Sequence, residues 1–301
     1  MKMHKQWCKI ITLIVTITIC LTAGPVPGAV VTDEIGRKVA VPGRPERIVS
    51  LAPSITETLF ALGLDRCIVG VTNYCNYPEG AKGIPRVGGF INLSLERIAA
   101  LQPDLIIATA DGNRKETVRQ LQNLGFEVYV VNPSNIDEIF ISIQGIGRIT
   151  GRTEASESLV AKLKQRVNTV IQRTARLPKP RVFFQVGSDP IVTVGSDTFL
   201  DELIALAGGV NVGHGQGIKY PRYSIEGVIA SAPDIIVVAP MDKRSKDFHR
   251  IKKGWQRWRS IPAVANGRIF RIDPDRVNRS SPRIVDALEE LSRMFHPEPA
   301  L

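Results

Sequence analysis

The chain has 301 residues, of which 44% are apolar and 23% charged. That balance is ordinary for a globular protein and excludes a disordered, collagen-like or polytopic membrane chain, while the length suggests about two domains. The net charge of +10 does not by itself mark a nucleic-acid binder, because Lys2, Lys5 and Lys9 lie in the first 29 residues and the remaining +7 is scattered over the rest. The densest basic patch, Lys243, Arg244, Lys246, Arg250, Lys252 and Lys253, is interleaved with Asp242 and Asp247 and reads as a solvated helix or loop.

Residues 1–29 read as an export leader. Basic Met1–Lys9 precedes the uncharged run Ile10–Leu21, and small residues with prolines follow in Ala23–Ala29. The run is short for a bilayer span of about 20 residues. An uncleaved anchor is one alternative. A lipid-modified Cys20 is another, against which Ile19 speaks, since a small residue belongs there. The cleavage point is open within 23–29. Beyond the leader, Cys67 and Cys75 remain, either bridged or free, and no cysteine–histidine cluster suggests structural zinc.

From Arg47 onward, short apolar runs alternate with helical patterns. Arg47–Leu51 is a predicted strand. Ser54–Glu57 has the capping-box spacing, and Gly63 ends the helix that follows. Next come a strand Cys67–Val71, a helix near 94–101, a strand Leu105–Thr109, a helix near 114–123, a strand Glu127–Val131 and a helix near 136–149. Thr153–Leu177 then carries acids at its start, arginines at its end and an apolar stripe of Leu159, Leu163, Val167, Val170 and Ile171. It predicts one stiff helix of about 24 residues, roughly 36 Å long. The alternation restarts with a strand Arg181–Val186, helices near 198–206 and 224–231, strands Ile235–Ala239 and Arg268–Ile272, and a helix near 281–295. Such alternation predicts an α/β fold with parallel strands. The expected organisation is an N-terminal lobe over 30–152, a connecting helix over 153–177 and a C-terminal lobe over 178–301, with a ligand cleft between two Rossmann-like lobes.

The halves are duplicated. Ser94–Thr109 (SLERIAALQPDLIIAT) and Ser224–Ala239 (SIEGVIASAPDIIVVA) share Ser, Glu, Ala, Pro and Asp in register. In each, Ser is placed to cap a short helix, Pro to stop it and Asp to lead into a buried strand.

Ligands of open parallel sheets bind beyond the carboxyl ends of the strands. Thr72–Pro78, the Gly-rich loop Gly213–Gly217 and Tyr220–Tyr223 occupy such places and hold four of the five tyrosines. Large, stiff rings with a polar tip suit a sizeable flat or greasy ligand. Tyr74 and Tyr220 are expected to face it, with Tyr77 and Tyr223 packed beneath their loops. Asp273–Arg283 crowds Asp and Arg before a helix and reads equally as a polar ligand site or an internal ion-pair cap. No GxSxG, Walker A or HExxH pattern marks an enzyme.

With RIVSLAPSITETLFALG at 47–63, GVTNYCNYP at 70–78, SLERIAALQPDLIIA at 94–108, RVFFQVG at 181–187 and SSPRI at 280–284, the chain resembles the periplasmic substrate-binding proteins of ABC importers. The likeness is to the class with two lobes joined by one rigid helix, which handles cobalamin, haem and ferric siderophores, and within it to the cobalamin-binding type. The resemblance implies a periplasmic, monomeric, non-enzymatic protein that captures cobalamin or a related corrinoid as cargo, with no resident cofactor, metal or nucleic acid, and delivers it to a permease–ATPase complex. It implies that Tyr74 and Tyr220 line the cleft, and that Phe90 stands where the cobalamin protein has a tryptophan. Asp275 and Arg279 would touch the ligand's polar rim, and Glu96 and Glu226 would dock on permease arginines. At Thr109–Ala110 a further tryptophan of that type is missing, which leaves haem and iron chelates as alternative ligands. A tetrapyrrole chelatase-like enzyme recruiting His214 or His296 is the rival of another class. The reading expects a preformed gap between Tyr74 and Arg279.

Overall fold

The computed structural model describes residues 28–239 and 248–297. Residues 1–27, which hold most of the predicted leader, and the patch residues Lys243, Arg244 and Lys246 therefore lie outside the described residues. The first element is an antiparallel hairpin, β1 (Ala29–Thr32) with β2 (Lys38–Val41), which the sequence pattern did not announce. Its turn is organised by Asp33, which accepts the backbone N–H groups of Ile35 and Arg37 and pairs with the Arg37 guanidinium at 2.7 Å.

The N-terminal lobe contains β3 (Ile48–Ser50), α1 (Pro53–Ala61), β4 (Ile68–Val71), α2 (Leu95–Ala100), β5 (Leu105–Thr109), α3 (Lys115–Asn123), β6 (Val128–Val131) and α4 (Ile136–Ile149). Its sheet is wholly parallel in the order β4-β3-β5-β6. Strands such as LIIAT and VYVV are buried along their whole length, because helices cover both faces of the sheet. Leu105 and Ile107 join one core cluster, while Ile106 and Ala108 join the other, as the period of two requires.

The lobes are joined by α5 (Thr153–Thr174). It is shorter than the predicted 153–177, and Ile171 is exposed while Val160 takes a place in the buried stripe. The C-terminal lobe contains β7 (Arg181–Ser188), β8 (Ile191–Thr193), α6 (Phe199–Leu206), β9 (Val210–Asn211), α7 (Ile225–Ser231), β10 (Ile235–Val238), α8 (Phe248–Trp255), α9 (Pro262–Ala265), β11 (Ile269–Arg271), α10 (Pro274–Val277) and α11 (Ile284–Phe295). Its separate sheet runs β11-β10-β7-β8, with β9 also on β7 and β8 antiparallel. One buried cluster continues from Ile139 and Ile143 of α4 through Leu163 and Val167 of α5 to Leu288 and Leu291 of α11. Arg166 bridges Asp286 and Glu289 at 2.6 and 2.8 Å. The connecting helix is thus packed into both lobes, which opposes hinge motion.

The duplication extends to backbone geometry. Ser94 and Ser224 cap their helices. Gln102 and Ala232, 130 residues apart, share an uncommon left-handed conformation (φ 44° and 41°). Asp104 accepts the Arg47 backbone N–H, and Asp234 accepts that of Arg181. The same two arginines reach back to carbonyls at the ends of α2 and α7.

Beside the hairpin, the Oε2 atom of Glu34 accepts from the Asn132 N–H and the Ser142 hydroxyl, while its Oε1 is buried without a partner. Burial outweighs these bonds and holds the carboxyl above the usual range. The folded state therefore takes up a proton more readily than the unfolded chain, and stability present at low pH is lost as pH rises through the folded value. Glu34→Gln is expected to gain on the natural chain by about 0.5–1 kcal/mol between about pH 4 and pH 7, read from urea midpoints. An advantage that shrinks with rising pH contradicts this. A cavity of about 370 Å³ lined by Val31, Val41, Tyr129 and Arg148 lies here, away from the cleft.

Candidate ligand cleft

The loops after the strand ends build the site. After β4, Thr72 and Thr56 place their hydroxyls 3.2 Å from the Cys75 sulfur, which anchors the loop by its middle. Cys67 and Cys75 are both free thiols. With Cys75 turned inward, the neighbouring Tyr74 points outward and is 56% exposed.

A second loop brings Phe90 against Gly112. A Cβ at Gly112 would fall inside the Phe90 ring, so only glycine fits beneath it. Asn113 fastens this arrangement: its side-chain amide donates to the carbonyls of Phe90 and Leu51, and its oxygen accepts the Thr109 N–H. Thr109 is buried and donates to Asp111. From the other lobe, Tyr220 is 47% exposed. Burial, and after it the charge of Asp111, raises its phenol above the ordinary range. Asp111 and Tyr220 therefore lie within electrostatic reach across the cleft, and exposed Ile91 and Ile218 add apolar surface on their respective loops. Tyr223 packs beneath its loop as expected, edge-on to Phe183 with its hydroxyl on the Val212 carbonyl. Tyr77 does not: it stays exposed, with the Arg283 guanidinium 3.9 Å from its ring centre.

The Asp273–Arg283 segment resolves as an ion-pair clasp between the lobes. At its centre is Glu57, with a side chain 1% exposed. It accepts from Arg279 at 2.7 Å, from the Ser281 hydroxyl at 2.6 Å and from Arg283 at 3.2 Å. Arg279 also donates to Asn76 Oδ1 and the Tyr74 carbonyl, and pairs with Asp275 at 2.8 Å. Asp275 in turn accepts from the Asn76 amide. This corrects two expectations. Ser54–Glu57 is not a capping box, since α1 is capped at Ala52 without a side-chain bond and Glu57 is drawn to the arginines. No gap separates Tyr74 from Arg279, because they are hydrogen-bonded through the Tyr74 carbonyl; the open surface lies on the side of the ring.

The histidines do not converge. His214 pairs with Asp201 at 2.9 Å. His296 follows α11 against Gly208, its pKa lowered chiefly by burial. Among the described residues no group of three or more His, Cys, Asp or Glu is placed to hold a metal. Glu96 and Glu226 stand exposed in the first turns of α2 and α7, and hydrogen bonds from its own backbone N–H and the Ser224 hydroxyl hold the Glu226 carboxyl below the usual range.

A parallel sheet, a mixed sheet, one connecting helix and loops gathered at the strand ends accompany a match of residues 48–276 to the profile of periplasmic binding proteins. The chain belongs to the periplasmic binding protein family. It is 32% identical over 256 residues to a vitamin B12-binding protein of Vibrio cholerae, which covers 84% of this chain and 90% of that one. The crystal structure of the periplasmic vitamin B12-binding protein BtuF of V. cholerae superposes with a TM-score of 0.73 at 31% identity, covering 83% of this chain and 96% of that one. The periplasmic heme-binding protein RhuT from Roseiflexus sp. RS-1 in apo form superposes equally well, with a TM-score of 0.74 at 30% identity over 83% and 98%. These relatives of the family are binding proteins. Of the residues expected at the site, Tyr74 and Tyr220 are exposed on strand-end loops and Phe90 lies against Gly112, while Arg279, expected on the ligand's rim, is engaged with Glu57 and Asp275; Glu57, Asn76, Asp111 and Asn113 were not singled out from the sequence. The available signal for Glu57 was a lone carboxylate inside the otherwise uncharged ITETLFALG stretch.

Proposed function

We propose that this periplasmic binding protein captures cobalamin or a related corrinoid in the periplasm and hands it to the permease and ATPase of an ABC importer. The observation that carries the reading is the pair of half-exposed tyrosines, Tyr74 and Tyr220, supplied by opposite lobes whose separation is held by α5 and the Glu57 clasp. Two stiff rings offer stacking area to a flat macrocycle at low entropic cost. Asn76, Asp111 and Asp275 offer acceptors to peripheral amides, with Asn76 also a donor. Phe90 lies against Gly112 and adds apolar surface on a neighbouring loop.

Haem is the second reading, favoured by the likeness to the heme-binding protein. Haem iron takes an axial imidazole, thiolate, thioether or phenolate. His214 is engaged with Asp201, and the corrinoid reading stands first on the likeness to the vitamin B12-binding proteins. A carrier role accords with the relatives, which are binding proteins. Glu96 and Glu226 give each lobe one exposed carboxylate for permease arginines; exposed pairs contribute about 0–1 kcal/mol each, which suits a contact that must release.

Spectroscopic titration with cobalamin, cobinamide, haem and a ferric siderophore tests the reading. Sub-micromolar binding of a corrinoid is expected, and binding of haem alone overturns it. In transport assays, Glu96→Ala combined with Glu226→Ala is expected to retain ligand affinity while uptake falls at least about tenfold.

A further inference from the structure

The surplus of seven positive charges beyond residue 29 is not evenly placed: Phe248–Arg259 holds five cations and no acid. They lie on α8 and in the turn that follows it. Helix α8 turns Ile251 and Trp255 inward against Phe183, Val228 and Ile236, and the Trp255 indole N–H donates to Gln185 Oε1 at 2.8 Å. Those inward anchors leave Lys253, Arg257 and Arg259 exposed, with Lys252 half-buried beside the Phe248 ring. Two backbone bonds, from Trp258 N–H to the Trp255 carbonyl and from Ile261 N–H to the Trp258 carbonyl, then turn the chain. Trp258 stays 37% exposed within this cationic stretch. Among the described residues, Lys252, Lys253, Arg257 and Arg259 have no carboxylate at ion-pair distance.

We propose that this face docks on a bilayer carrying anionic phospholipid headgroups, with the Trp258 indole seated at headgroup depth. Charge complementarity supplies the attraction, since clustered Lys and Arg are drawn to an anionic leaflet. The indole supplies the apolar body with a polar edge that suits the water–hydrocarbon boundary. The apolar stripe of α8 is already committed to the core, so the helix does not insert and attachment is peripheral, reversible and salt-sensitive. A single-stranded nucleic acid is the other polyanion to weigh. Its binding sites combine a basic groove with a series of stacking rings, whereas here one indole is exposed and its neighbour Trp255 is buried. The surface involves none of the cleft residues, so it stands independently of the cargo.

The test uses the full chain and vesicles of phosphatidylcholine with or without roughly one-third phosphatidylglycerol, in low salt and in about 0.5 M salt. Wild-type protein is expected to co-sediment at least about tenfold better with the anionic vesicles, and to lose that preference in high salt. Combined Lys252→Glu, Lys253→Glu, Arg257→Glu and Arg259→Glu should reduce binding at least about tenfold with unchanged thermal stability and cleft affinity. Comparison with wild type cancels any contribution of the apolar N-terminal run. Should the charge-reversed chain fail to fold, Trp258 fluorescence decides: a blue shift on anionic vesicles that Trp258→Phe removes supports the proposal. Wild-type binding by the folded charge-reversed chain, absence of the blue shift, or tighter binding to DNA than to vesicles at equal salt overturns it.

Discussion

Replacing Glu57 with alanine is expected to destabilise the protein by about 3–5 kcal/mol, as measured by urea unfolding. The carboxylate is 1% exposed and serves two guanidinium groups that are themselves only 10% and 14% exposed. Its loss leaves two buried cations side by side and the Ser281 hydroxyl without its acceptor. Asp275 remains on Arg279, and Asp273 lies 3.8 Å from Arg283, which places the effect toward the lower end of that range. Glu57→Gln keeps an acceptor and should lose about half as much. Arg279→Ala in the Glu57→Ala background should cost much less than in the natural chain, since the two changes remove one shared interaction. Because Arg279 also holds the Tyr74 carbonyl and Asn76, ligand affinity should fall along with stability. A loss below about 1 kcal/mol would show that the clasp does not hold the lobes.

Removing both rings of the cleft, Tyr74→Ala with Tyr220→Ala, is expected to weaken corrinoid binding by about 100- to 1,000-fold, at about 1.5–2 kcal/mol per ring. Both side chains are about half exposed in the free protein, so they contribute little to the core and the melting temperature should move little. Calorimetric titration separates the effects, because Glu57→Ala changes stability and affinity together whereas the tyrosine pair changes affinity alone. Tyr74→Phe and Tyr220→Phe keep the rings and should stay within about threefold of wild type if stacking dominates. An affinity loss as large for phenylalanine as for alanine would instead assign the contact to the hydroxyl groups.

Much of the fold could be read along the chain because its signals are local. Apolar runs such as LIIAT and IIVV mark strands covered on both faces, and Ser94 and Ser224 cap the helices that the repeat placed after them. Where a signal was weak or shared, reading along the chain fell short. The short β1–β2 hairpin takes its turn from Asp33, whose hold on Arg37 shows only in three dimensions. Ile171 and Val160 both fit a helical stripe, and only packing between α4 and α11 selects Val160.

The cleft divides in the same way. Tyr74 and Tyr220 were singled out from their place in the loops, and Phe90, Asp275 and Arg279 as site residues from the family resemblance; the structure gives Arg279 to the Glu57 clasp. Glu57 was not singled out, because serine and glutamate three residues apart satisfy a capping pattern equally well, and its true partner is 222 residues distant. Asn113 likewise reads as a loop asparagine until it is seen tying Phe90 to Leu51. The amino-acid order by itself determined two α/β halves, their repeat and the helix between them, since periodicity and caps act within a few residues. Only the tertiary structure decided that the polar segment before α11 closes onto α1. A buried carboxylate must find cations wherever the fold brings them, and no local pattern records which ones arrive.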